Sequence, residues 1–533
     1  MSQPTTANTA AEQGIITRQA PPRTALGILA RLGPGLIIAA SIVGSGELIA
    51  TTKTGAEAGF WLLWLIIVGC VIKVFVQVEF GRFTITEGRT ALEGMNLVPG
   101  PRLGVNWLVW YWVLMFSMGL GQLGGIVGGV GQSLALSVPL TGDLFRLVEQ
   151  QDQQASYDRQ AAALLDEAAQ GAGLDSAAAL DAAARTLADR DVLAQLGERP
   201  VIPPELSYTY DDVYWSGLVV AITCVLLING RYRLVQNVAT VLVAAFTAVT
   251  IFNLAALGSH EAWAIRWSDL ADGLSFRLPP ASASVGSPVA TALATFGIIG
   301  VGASELVAYP YWCLEKGYAR FTGPRDASPQ WAETALGWLR VMRWDAWCSM
   351  VIYTFATVAF YLLGASVLHR AGLNPGGNQM LYVLAQMYRP VFGTWAGPVF
   401  LFGAFAVLYS TFFVATAGNA RMAADALRVF RWRDASEAGR LRWVRRFCGL
   451  FPILSFSIYV VTKDPVRLVL VSGLAQSIML PMLGGAALYF RFRRCDPRIC
   501  PGRLWDVLLA VSVAGLVVTG SWGVLSAVQK VTG

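Results

Sequence analysis

The chain has 533 residues, of which 55% are hydrophobic and only 14% charged, with 18 tryptophans. A soluble globular chain carries about 25% charged residues, so this one has too little charge to cover a soluble surface of its size. That excludes a disordered, fibrous or nucleic-acid-binding protein, and the net charge of +6 finds another explanation in its distribution along the chain.

The first stretch is polar to about Thr24, has no apolar signal-peptide core, and reads as a disordered cytoplasmic tail over residues 1–30. Spanning helices need about 20 mostly apolar residues, and eleven such runs follow. The first five are Leu36–Ala56, Phe60–Phe80, Trp107–Leu136, Val213–Leu227 and Val238–Leu257. The next six are Pro288–Leu314, Ala346–Leu368, Val399–Ala420, Phe447–Val461, Val466–Phe490 and Leu504–Leu525. The fold class is therefore an all-α integral membrane protein.

Between the third and fourth spans lies a polar stretch, residues 141–212, with 14 acidic and 5 basic residues. Leu164, Leu165, Leu174, Leu180 and Leu187 fall at helical spacing, predicting two amphipathic helices in an acidic insertion outside the membrane. With the N-terminus placed in the cytoplasm, alternate segments hold 26 Lys and Arg on the inside and 12 on the outside. This positive-inside bias accounts for the excess charge, including the run from Arg428 to Arg446. It predicts a multi-pass protein of the cell (inner) membrane with its C-terminus outside.

Residue chemistry narrows the function. Seven scattered cysteines, with Cys495 and Cys500 five apart, match no metal spacing, and two histidines, His260 and His369, form no cage. No P-loop ATPase motif occurs, and Gly119-x-Gly121-x-x-Gly124 lies inside an apolar span with no strand before it, the wrong context for dinucleotide binding. Covalent catalysis and a required cofactor are not indicated. The expected partners are the lipid bilayer and a small ion or small molecule, not nucleic acid.

An internal repeat points to the site. Val43-Gly44-Ser45-Gly46-Glu47-Leu48-Ile49-Ala50 in the first span matches Val301-Gly302-Ala303-Ser304-Glu305-Leu306-Val307-Ala308 in the sixth at five of eight positions. Spans five apart cross in opposite directions, the signature of an inverted repeat whose broken helices meet at mid-membrane. A carboxylate there costs at least ~2.5–3.5 kcal/mol, so Glu47 and Glu305 must be paired, protonated or functional. The site is predicted from Gly44, Ser45, Gly46 and Glu47 with Ala303, Ser304 and Glu305. The carbonyls of Gly44 and Ala303 are candidate neutral ligands, and Glu47 and Glu305 candidate metal ligands. Lys73, in mid-span, is a possible charge partner for either glutamate.

The sequence resembles the Nramp family of divalent-metal transporters over most of its length except the tail and the acidic insertion. Gly33-Pro34-Gly35, Leu62-Leu63-Trp64, Gln77, Arg82, Ser410-Thr411, Ala417-Gly418-Asn419 and Pro481 carry the likeness. The resemblance implies a LeuT-type 5+5 inverted repeat with broken helices 1 and 6, and it adds Gln77, Asn419 and Gln476 as further candidate substrate-binding residues. Repeat one would span residues 31–258 and repeat two 288–490, with an extra helix at 504–525; the transporter core would be 31–140 and 213–533. The departures fall in the site. The family's Asp-Pro-Gly-Asn stands here as Gly44-Ser45-Gly46-Glu47, and its Met and His positions in the sixth helix are Leu306 and Ala308. Its acidic proton-route positions are Gln122 and Gly125. Sulfur selects soft metals, while carboxylate, carbonyl and water suit Mg, Ca or Mn, so the expected substrate is a divalent ion harder than the family's usual ones. The alternatives are an organic cation or zwitterion, or a non-transporting membrane sensor.

Overall fold

The computed structural model describes residues 18–171, 200–206, 208–229, 232–280, 287–432 and 436–532. The first span is broken as the repeat requires. Helix α1 (Pro34–Ile42) ends at Val43 and Gly44, and the chain restarts as a π-helical turn, Ser45–Thr51, running into α2 (Thr52–Ala58). Then come α3 (Leu63–Glu87), α4 (Trp107–Ser137), α5 (Asp143–Gly171), α6 (Asp211–Ile228) and α7 (Tyr232–Ala256). The sixth span is broken too, into α8 (Pro288–Ile298) and α9 (Ala303–Lys316). Helices α10 (Pro329–Leu363), α11 (Ala396–Val429), α12 (Glu437–Thr462), α13 (Pro465–Tyr489) and α14 (Arg503–Thr532) complete the bundle. Two-residue strands, Arg102–Leu103 and Val105–Asn106, form a small hairpin before α4.

Among the described residues ten helices are long and apolar enough to cross a membrane. The first span is not one of the ten because the break leaves two short halves; counted with them it makes eleven. Helix α12 begins ten residues before the predicted Phe447, because a hydropathy window rejects its Arg-rich entry while the backbone stays helical. Two predicted segments change. Residues 18–30 are docked rather than disordered: Gln19 donates to the Phe321 carbonyl at 3.1 Å, and the Trp338 indole donates to the Gln19 carbonyl at 2.9 Å. Of the insertion, α5 is one helix; Leu174, Leu180 and Leu187 lie outside the described residues.

The base of that insertion belongs to the core. The Asp211 carboxylate accepts the N–H groups of Leu140, Thr141 and Gly142 at 2.6–3.1 Å. Asp212 is fully buried and pairs with Lys463 at 2.9 Å. The boundary at 212 therefore cuts through an ion pair that fixes α6 against the α12–α13 turn.

Gly33-Pro34-Gly35 has a physical explanation. Pro34 opens α1, where its missing N–H costs nothing, and Asp345 of α10 accepts the Gly33 N–H at 2.9 Å and the Gly35 N–H at 2.5 Å. A buried carboxylate from another helix thus satisfies the orphan donors of a helix start. The same carboxylate accepts the Tyr309 hydroxyl at 3.1 Å, which ties α1, α9 and α10 together.

Candidate functional site

The two breaks cross at close range. A methyl group on Gly46 would lie 3.1 Å from the Ile298 carbonyl, and Thr54 and Thr295 hydroxyls meet at 2.8 Å. Gly44 cannot carry a side chain: a Cβ there would fall 1.9 Å from the Thr411 hydroxyl of α11. Gly300 turns the chain out of α8 with φ 56°, a conformation glycine adopts without strain.

Glu47 and Glu305 hold equivalent places. Each is the third residue of the half-helix that restarts after a break, with Gly44 and Gly302 as the N-caps. At that position a glutamate can reach back to the cap and satisfy an orphan N–H. Glu47 does so toward the Gly44 N–H at 3.4 Å, and its other oxygen accepts the Thr357 hydroxyl at 3.1 Å. It is fully buried. Glu305 folds back over Gly302, where an added Cβ would lie 2.5 Å from its oxygen, but it is only half-buried.

The difference is a cavity. Ser304, Glu305, Gln122, Thr411, Asn419 and Met422 line a space of about 40 Å³, together with Trp312 and a set of apolar and glycine positions. Glu305 is its only ionisable lining side chain among the described residues. Trp312 lies eight residues beyond Ser304, roughly 12 Å along α9. Tyr318, further along that direction, donates to the Arg31 carbonyl at 2.8 Å. The cavity therefore runs from the breaks toward the face that carries residues 31–33. Arg421, paired with Glu315 at 2.5 Å and stacked on Trp312 at 4.8 Å, sits at that end.

An amide chain joins the two breaks. The Gln122 amide donates to the Ser45 hydroxyl at 3.1 Å, and the Gln476 amide donates to Gln122 Oε1 at 2.7 Å. Gln476 Oε1 in turn accepts the Ser304 N–H at 3.1 Å. Four elements thus share one hydrogen-bonded line through mid-membrane. Gln77 stands apart: it is buried, and neither amide atom has a partner.

Two expected features take another form. The carbonyls of Gly44 and Ala303 are not the free ones. A half-helix that starts after a break presents N–H groups, and the half that ends before it presents C=O groups. The Gly44 carbonyl accepts the Leu48 N–H at 2.8 Å, and Ala303 is the first residue of α9. The open carbonyls lie at the end of α8, and Lys73 occupies them. Its ammonium donates to the Phe296 carbonyl and, at 2.7 Å, to the Ile299 carbonyl, with no carboxylate among its acceptors. Thr411, Trp312, Met422 and Thr357 were not in the predicted site. Residues 411, 415, 418, 419 and 422 recur at helical spacing, a sequence signal for one face of α11.

Residues 206–526 match the family described as Natural resistance-associated macrophage protein-like. The chain belongs to the Nramp family. Curated relatives include the divalent metal cation transporter MntH of Mycobacterium tuberculosis, 27% identical over 129 residues, covering 20% of this chain and 29% of that one. MntH of Caldanaerobacter subterraneus subsp. tengcongensis is 26% identical over 110 residues, 21% of this chain and 26% of that one. The matched stretch is thus less than a third of each relative. A mutant of the Eremococcus coleocola manganese transporter superposes with TM-score 0.54 at 13% identity, over 95% of this chain and 89% of that one. The same transporter in complex with an aromatic bis-isothiourea compound gives 0.54 at 15% identity, with the same coverages. These likenesses establish the fold: an all-α, multi-pass membrane protein of LeuT type. In this Nramp protein each of the two breaks is followed by a half-helix with a glycine N-cap and a glutamate as its third residue, Glu47 and Glu305.

Proposed function

We propose that this chain is a secondary transporter that carries a divalent metal cation by alternating access, with the ion held beside Glu305. The observation that carries this is the cavity: one carboxylate, surrounded by the oxygens and amides of Ser304, Gln122, Thr411 and Asn419. A water needs ~10–15 Å³ of such space, so 40 Å³ suits a small ion with two or three waters. Mg²⁺ dehydrates reluctantly and is held by one or two carboxylates with waters retained. The ion is therefore a hard one, with Mg²⁺ the first candidate. Glu47 shapes the break and adds negative potential without touching the ion.

Met422 supports a second reading. Its thioether lines the same cavity, and sulfur favours softer metals. Calorimetry across Mg, Mn, Ca, Zn and Cd with small zwitterions as controls, followed by uptake into liposomes, separates these. Binding of Mg²⁺ with Mn²⁺ and weak Cd²⁺ supports the hard-ion site. Tight Cd²⁺ that weakens in Met422→Leu supports the thioether. Metal binding without uptake would indicate a sensor.

We also propose the cytoplasmic N-terminus and the outside location of the insertion, from the charge bias. A cysteine at Ser176 that labels only after permeabilisation would reverse that orientation.

A further inference from the structure

Helix α8 ends at Ile298 and the chain turns away at Gly300, so the last carbonyls of α8 have no helical partners. They carry the negative end of the half-helix dipole into the bundle interior. A full-length break of this kind makes a cation cradle. Here the cradle is occupied from within the chain. Lys73 of α3 is fully buried, its nitrogen donates to the Phe296 and Ile299 carbonyls, and it lies 4.6 Å from the centre of the Phe296 ring. Carbonyl dipoles and an aromatic face are both attractive to a positive charge. Helix α3 is built to approach: a Cβ on Gly69 would lie 2.9 Å from the Phe296 ring, and one on Gly300 would lie 3.1 Å from the Cys70 backbone.

We infer that the carbonyl cluster at the end of α8 is a monovalent-cation site and that the Lys73 ammonium is its resident, tethered occupant. A buried lysine must be paired, dipole-bound or neutral, and its acceptors here are carbonyls. Glu47 and Glu305 both lie within electrostatic reach of it without touching it. The tethered charge thus offsets the two carboxylates from behind the break, and no free Na⁺, K⁺ or ammonium ion is needed at this place. Removing the tether should convert the resident site into one that takes an ion from solution.

The test measures thermal stability of purified protein, so it does not depend on the transport proposal. Lys73→Met and Lys73→Gln are melted in choline chloride and in methylammonium or sodium chloride at equal ionic strength, which holds screening constant. Expected are losses of several degrees for both variants in choline, recovered in part by methylammonium or sodium through mass action, with the wild type insensitive to the exchange. Two results overturn the inference. One is a loss that no cation recovers. The other is wild-type stability in choline for either variant; for Lys73→Gln this would show that the position needs only a hydrogen-bond donor. Should Lys73→Met not accumulate, the yield of monodisperse protein extracted in methylammonium against choline is compared instead. A methylammonium-dependent yield supports the site, and equal yields overturn it.

Discussion

Glu47 and Glu305 occupy the same turn of two symmetry-related half-helices, yet one is sealed against Thr357 and the other faces a cavity. The repeat sets their backbone positions; the neighbouring helices set their environments. Glu305→Gln should therefore weaken divalent-ion binding at least ~10-fold, about 1.4 kcal/mol or more, since Glu305 is the only cavity carboxylate among the described residues. Glu47→Gln should keep one hydrogen-bond acceptor and lower binding less. Titration calorimetry on both variants checks the order, and equal losses would mean that both carboxylates touch the ion.

The amide chain makes a prediction about coupling. Gln122→Ala and Gln476→Ala should each destabilise by ~1–3 kcal/mol, because each leaves buried partners unsatisfied. The double variant should cost less than the sum by ~0.5 kcal/mol or more, the mark of groups in one network. Strictly additive melting shifts would show that the chain is incidental.

Asp345 should be a stability residue. Asp345→Ala removes the acceptor of the Gly33 and Gly35 N–H groups and of the Tyr309 hydroxyl. A loss of ~2–4 kcal/mol follows from a missing helix cap and an orphaned hydroxyl, with Asp345→Asn less affected. Unfolding in mixed detergent micelles measures it.

Proton coupling by the third span is not expected. Gln122 is committed to Ser45 and Gln476, and Gly125 has no side chain. Glu79, a buried carboxylate of α3, is held by Arg82 at 3.1 Å and Trp505 at 2.7 Å. Transport in proteoliposomes should proceed without stoichiometric acidification of the lumen. A proton flux that survives both Glu47→Gln and Glu305→Gln would place the route at another group, Glu79 first.

A pH effect belongs to the loop between α13 and α14. Hydrogen bonds from Arg498 hold Asp496 down to about 2, and Arg325 adds a pair at 2.9 Å. A lowered carboxylate stabilises above its unfolded value, about 3.9, and that contribution is lost as pH falls from there toward about 2. The melting temperature of Asp496→Asn should fall less steeply than that of wild type between pH 5 and 3. Parallel curves would remove Asp496 from the account of acid sensitivity.

Much of this protein was legible in sequence because its determinants are local. Runs of apolar residues must be helices in a bilayer, where every backbone polar group needs an internal partner. A five-residue identity across two spans located both breaks, and the flanking motifs named the family. The side-chain environments were not legible. Lys73 lies four residues before Gln77 on one helix, and nothing in that spacing says that its acceptors are carbonyls 223 and 226 residues away. Sequence locates each break to a few residues but not the residue at which one half-helix ends and the next begins, and that register decides that Gly44 and Ala303 start a half-helix while the open carbonyls belong to the end of α8. Sequence set the helices and the places where they part, through patterns of a few residues. The tertiary structure alone decided which glutamate meets the cavity and what neutralises the break, because those depend on helices brought together from hundreds of residues apart.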